Sequence, residues 1–220
     1  MTYTRAVAAI ALTSWRLLAP LTVTVFLVLG VYAYRPNGVQ ESFAVTSVLS
    51  AFVCAWLVVA AERGLDQTAT AILTVAAGGP AKARRGRLAL VAVTACFVTA
   101  LFIAWPTSSD AFDRTPGAGD ILAGSLSHMA CGIFGGCIAL ALAPPTRAAM
   151  AFAGTLAVVL ASIALVGHLG PLSGVGGVAD AMSHTPDNGI SLGLVAACGI
   201  TLAQAGALAL AARSLERWRG

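Results

Sequence analysis

Apolar residues run almost unbroken through six stretches of the chain, residues 17–34, 43–61, 88–105, 121–143, 148–166 and 190–212. Each holds about 18 to 23 residues, and at about 1.5 Å per residue that length crosses a hydrocarbon core about 30 Å thick. None alternates apolar and polar positions as barrel strands do. Helices remain, because they satisfy their own backbone groups in lipid. The pattern predicts an all-α polytopic membrane protein, a single transmembrane domain over residues 1–220 with six transmembrane helices. Composition agrees: 58% of residues are apolar, 10% are charged and mean hydropathy is +0.87. A soluble domain carries about 25% charged residues, so a soluble enzyme, a disordered chain and a disulfide-rich secreted domain are excluded. The first stretch is too long for a signal-peptide core and no small-x-small site follows it, so it is expected to be retained.

Residues 2–19 are mixed, with Arg5, Thr13, Ser14, Trp15 and Arg16 ahead of Pro20. They read as an interfacial helix with Trp15 at headgroup depth, or as the untidy start of one long tilted helix. Six crossings put both termini on one side. That side then holds 11 of the 13 Lys and Arg residues, and the other holds only Arg35 and Arg114. Glu41, Asp110, Asp113, Asp120, Asp180 and Asp187 fall opposite the basic excess. The positive-inside rule then predicts a multi-pass plasma-membrane protein with both termini in the cytoplasm. The net charge of +4 is explained by orientation and by contact with anionic membrane lipid, not by nucleic acid.

The expected cytoplasmic loop 62–87 carries a short pattern of its own. Asp66 and Gln67 open a segment in which Ile72, Leu73 and Val75 stand among alanines and threonines, and Gly78-Gly79-Pro80 ends it. Asp66 suits a helix N-terminus and Gly-Gly-Pro suits a stop. Such a helix either docks into a groove on a cytoplasmic partner or lies flat on lipid, and the residues alone leave both open. The cluster Lys82, Arg84, Arg85 and Arg87 leads into the third span.

Polar groups inside spans are candidates for function. They are Ser47 and Ser50 in the second span, Ser125 and His128 in the fourth, and Gln204 in the sixth. No acid or base lies deep in a span, which argues against a gradient-coupled carrier. His128 is expected to bond another helix or face a polar cavity. Gly132 and Gly136 have the spacing that lets helices approach closely, within the chain or in a dimer. Cys54, Cys96, Cys131, Cys137 and Cys198 sit in apolar runs and read as buried small hydrophobes, with no metal site and no disulfide. There is no phosphate-binding G-x-x-x-x-G-K-[ST] loop, so the chain is expected to be no enzyme and to hold no cofactor. Ser127 and His128 are neighbours on one helix and make a poor nucleophile–base pair.

The interfacial N-terminal helix, six spans, the structured 62–87 loop and the Gly/Pro-rich exterior segment 169–189 together resemble the permease subunit of an ABC-2-type transporter. The resemblance covers most of the chain in layout and rests on no sharp motif. It implies that Asp66, Gln67, Ile72, Leu73, Val75, Gly79 and Pro80 belong to a coupling helix that docks on a separate ATP-binding subunit. That subunit would bind ATP and Mg. It also implies a second permease subunit, identical or related, and re-entrant helices over 169–189. Ser47, Ser50, Ser125, His128 and Gln204 are then candidates to line the path of an exported lipid-like, peptide or antibiotic cargo. The competing readings are an accessory or structural membrane protein, an intramembrane enzyme using His128, and a gradient-driven carrier or channel.

Overall fold

The computed structural model describes residues 6–7, 17–33, 38–63, 67–109, 111–142 and 148–218. The described residues are helical, in the order α1 Leu18–Val31, α2 Val39–Arg63, α3 Gln67–Ala76, α4 Pro80–Ser108, α5 Ala118–Leu142, α6 Ala148–Ala164 and α7 Val166–Leu169. A 3-10 turn over Gly170–Ser173 follows, then α8 Val175–Ser183 and α9 Leu192–Trp218. Four of these, α2, α4, α5 and α9, contain stretches long and apolar enough to cross a membrane. A fifth crossing exists if α6 and the 166–173 segment, bent by 56°, count as one. This is the architecture of a helical membrane protein.

The expected first span, 17–34, forms a helix only over Leu18–Val31, 14 residues, or about 21 Å at 1.5 Å per residue. Pro20 is tolerated there because it lies in the first turn, where its missing N–H would have no partner anyway. The expected surface helix over 2–19 falls largely outside the described residues. Val7, which is described, is buried with Ala61, Ala83 and Leu90. The third span starts earlier than its apolar run, at Pro80, because Lys82 to Arg87 continue the helix beyond the apolar stretch.

The centre of the bundle is the pair α2 and α5. Small residues on α5 set how closely its neighbours approach. A Cβ on Gly135 would collide with the Ala51 carbonyl of α2, and one on Gly136 would come within 2.6 Å of Val91 on α4. One on Gly132 would lie 2.9 Å from Cys54 Sγ on α2 and 3.2 Å from Ala95 Cβ on α4. The Gly132/Gly136 spacing is therefore used inside the chain. The cysteines are free; Cys54, Cys131, Cys137 and Cys198 are buried. Cys96 corrects the sequence expectation. It is exposed, because it lies on a face of α4 that no described helix covers.

The connection after α6 is the least regular part. After the bend at Leu165 the chain turns through Gly170 (φ 50°) and Gly174 (φ 69°). Val175, Gly176, Gly177, Val178 and Met182 of α8 are buried. This segment re-enters the bundle. Gln204 Nε2 donates to the Leu172 carbonyl at 2.8 Å, and Gln204 lies about 18 Å along α9 from Leu192. From that depth α8 climbs back, so that Asn188 reaches Asp120 at the start of α5.

Candidate functional site

Three groups of residues stand out, one inside the α2–α5 contact and one at each end of the bundle. In the first, His128 Nδ1 lies 2.6 Å from the Gly124 carbonyl. A carbonyl only accepts, so Nδ1 carries the proton. Nε2 meets Thr46 Oγ1 at 2.8 Å. Ser50 donates to the His128 carbonyl at 3.1 Å and to the Ser47 carbonyl at 2.6 Å. Phe43 and Phe102 flank the imidazole, with ring centroids 5.9 and 5.8 Å away. Thr46, Ser47, Ser50 and His128 all have no exposed surface. The structure therefore joins Ser50 and Thr46 of α2 to His128 of α5, with Ser47 buried beside them and donating to the Ala44 carbonyl of its own helix at 2.8 Å, all closed to solvent and to lipid. Ser125 is half-buried, about one turn before His128. Gln204 stands apart on α9, where it bonds the re-entrant turn at Leu172. Ser127 donates to the Gly124 carbonyl at 2.8 Å, the same acceptor that holds His128, so the two side chains do not form a nucleophile–base pair.

At the Arg87 end, α3 packs across the start of α4. Asp66 lies outside the described residues, and of Gln67 only the backbone is described, as the first residue of α3. Gly79 N–H donates to the Thr74 carbonyl at 3.0 Å and Gly78 N–H to the Val75 carbonyl at 2.8 Å. This paired closure needs left-handed backbone, which Gly78 (φ 82°) and Gly79 (φ 109°) supply. Pro80 then opens α4 at a position that needs no N–H. One tripeptide ends one helix and begins the next, so α3 is held at a set angle. Its apolar residues divide. Leu73, with Ala69 and Ala77, packs on Ala61, Ala83 and Leu90. Ile72 is 62% and Val75 78% exposed. Leu73 was grouped with them by sequence, yet it faces the bundle; adjacent helical positions point about 100° apart. At the same end Arg87 Nε pairs with Glu62 at 3.3 Å, joining α4 to α2.

At the opposite end sits a cluster that no sequence pattern marked. The Asp120 side chain has no exposed surface. It accepts from Arg114 Nη1 at 2.6 Å and Nη2 at 3.0 Å, from Gln40 Nε2 at 2.9 Å, and from the backbone N–H groups of Gly117 and Asn188, each at 2.8 Å. Arg114 Nη2 also reaches Asp187 at 2.8 Å. The bond to Asp120 chiefly, with partial desolvation opposing it and Asp187 adding to it, raises the Arg114 pKa above its ordinary value. Part of this was open to inspection. Asp120 lies three residues after the helix-opening Gly117, the spacing at which an acid reaches back to a first-turn N–H. The partners at 40, 187 and 188 come from distant sequence.

Among the described residues no group of three or more His, Cys, Asp or Glu is placed to hold a metal ion. Compared with known proteins, the chain matches no family model, no curated protein and no solved structure.

Proposed function

We propose that this chain is the permease subunit of an ATP-driven transporter of the ABC-2 type, with ATP hydrolysed by a separate subunit. The proposal carries six crossings, with α1 as the first and α6 to α8 as the fifth. It places both termini in the cytoplasm and a second permease subunit alongside. Its cargo is lipid-like, a peptide or an antibiotic. The observation that carries it is α3. This short helix is fixed by the Gly78-Gly79-Pro80 closure and turns Ile72 and Val75 away from its own bundle at the end rich in Lys and Arg. A helix fixed at its Gly78-Gly79-Pro80 joint passes motion of its free face to α4. The re-entrant turn at Gln204 and Leu172 supports the same layout.

Affinity purification of the tagged chain in mild detergent tests this. An ATP-hydrolysing subunit should accompany it and be lost from the double variant Ile72→Ser, Val75→Ser. Recovery of the chain alone would overturn the proposal. One observation favours the accessory reading, namely that Ser47, Ser50 and His128 are sealed rather than lining an opening. Transport that continues without ATP would favour a gradient-driven carrier instead.

A further inference from the structure

We propose that the contact of Asp187 and Asn188 with the Arg114–Asp120 cluster is a releasable latch, which holds the re-entrant segment 166–183 in the bundle and lets it swing out. The inference goes beyond the transport reading and does not depend on an ATPase.

The cluster has two unequal halves. The fixed half is Gln40 on α2, Arg114 and Gly117 in the α4–α5 connection, and Asp120 on α5. Both carboxylate oxygens of Asp120 are bonded within this half, by two Arg114 nitrogens, by Gln40 and by Gly117. The moving half is Asp187 and Asn188. It contributes the Asn188 N–H to Asp120, the Arg114–Asp187 pair and the Gly119 N–H to Asn188 Oδ1, at 2.8, 2.8 and 3.1 Å. A buried carboxylate that lost all its partners would make opening prohibitive. Here departure of the moving half leaves Asp120 paired, so at the cluster itself the cost is confined to bonds that water can replace. The Asp187 side chain is 76% exposed, and exposed pairs are weak.

The seat is also shaped for one occupant. A Cβ on Gly117 would collide with Asn188 Oδ1, and a Cβ on Gly119 with the Asn188 carbonyl. Asn188 has φ 53°, the one positive value among the described non-glycine residues, which asparagine tolerates better than most. Beyond the latch, the segment is held in the bundle by the buried side chains of Val175, Val178 and Met182 and, among the described residues, by two polar contacts, Gln204 to Leu172 at 2.8 Å and Gly176 N–H to Ser162 Oγ at 3.3 Å. Apolar side chains that leave the bundle for lipid lose packing but are not exposed to water. Gly170 and Gly174 supply positive-φ joints about which it can turn. Ile163, Leu165, Leu169 and Leu172, at the elbow, are already exposed.

Hydrogen–deuterium exchange on the full-length chain in lipid nanodiscs reads the opening by segment. The double variant Asp187→Asn, Asn188→Gly keeps the fixed half intact and keeps a residue that accepts positive φ. Asp113→Asn, an exposed acid at the same end, is the charge control. Amides of 166–183 should exchange about tenfold faster in the double variant, the scale of one lost hydrogen-bonded contact. Those of α2 and α5 should be unchanged, and the control should match the parent. Unchanged exchange in 166–183 would overturn the latch. So would an equal rise across α2 and α5, which would make the cluster a general stabiliser.

Discussion

At Gly135 the absence of a side chain decides how near two helices come. A methyl group there meets the Ala51 carbonyl, which is backbone and has nowhere to go. Gly135→Ala should lower unfolding stability in detergent by about 3 kcal/mol, read from a denaturation midpoint. His128 offers the opposite test, of volume against hydrogen bonding. Hydrogen bonds between membrane helices average only about 0.6 kcal/mol, whereas emptying a filled core position costs about 3 kcal/mol. His128→Ala should therefore destabilise the bundle several times more than Thr46→Val, which removes the hydroxyl and keeps the shape. Equal losses in the two would mean that the Thr46–His128 bond, not packing, holds α2 to α5. The Asp120 carboxylate outweighs either bond. Asp120→Ala leaves Arg114 facing an empty site and should cost about 3 kcal/mol, visible as a lowered midpoint in the same assay.

Among the elements, α3 combines two roles on separate faces. Leu73→Ala should weaken the Arg87 end of the bundle by about 2 kcal/mol through lost packing. Ile72→Ser should leave the unfolding midpoint where it is. Gly79→Ala forces a Cβ into left-handed backbone at φ 109° and should cost about 1–2 kcal/mol; a midpoint equal to the parent's would show that the joint is not held in that shape. The long helices α2, α4, α5 and α9 were legible in the sequence, because an apolar run of that length has few other uses. The Gly-Gly-Pro stop was legible because its geometry is local. The Asp120 cluster was not, since an acid beside a span boundary looks like any other loop acid until Gln40, Asp187 and Asn188 are brought to it. The direction of Leu73 was missed for a related reason. A 10-residue helix with three apolar positions does not reveal which of them meets its own bundle. The burial of α8 was implied only by the resemblance, as re-entrant helices over 169–189, and not by the residues themselves, because Gly176 and Gly177 read as loop glycines; a Cβ on either would run into backbone of the 162–171 stretch.

For the whole molecule, burial is uneven. The α2–α5 pair is enclosed, while α4 and α9 each turn large apolar side chains outward, among them Val93 and Phe97 on α4 and Leu192, Val195, Leu202 and Leu210 on α9. Cys96 lies on the same outward surface of α4. A lipid-soluble maleimide should modify Cys96 ahead of the other four thiols in the folded chain, and mass spectrometry of the labelled peptides checks this. Labelling of Cys54 or Cys131 at a similar rate would show that the central pair opens readily.

The broken crossing also bears on how the protein is made. Each ordinary span can leave the ribosome and settle in lipid alone, since its amide groups are already occupied. The stretch from Gly170 to Gly177 has no such independence. Its amides and carbonyls are sheltered by α6 and by Gln204 on α9, and α9 is synthesised later. The elbow cannot seat before α9 is inserted, so a nascent chain arrested before residue 192 should hold this stretch at the bilayer surface.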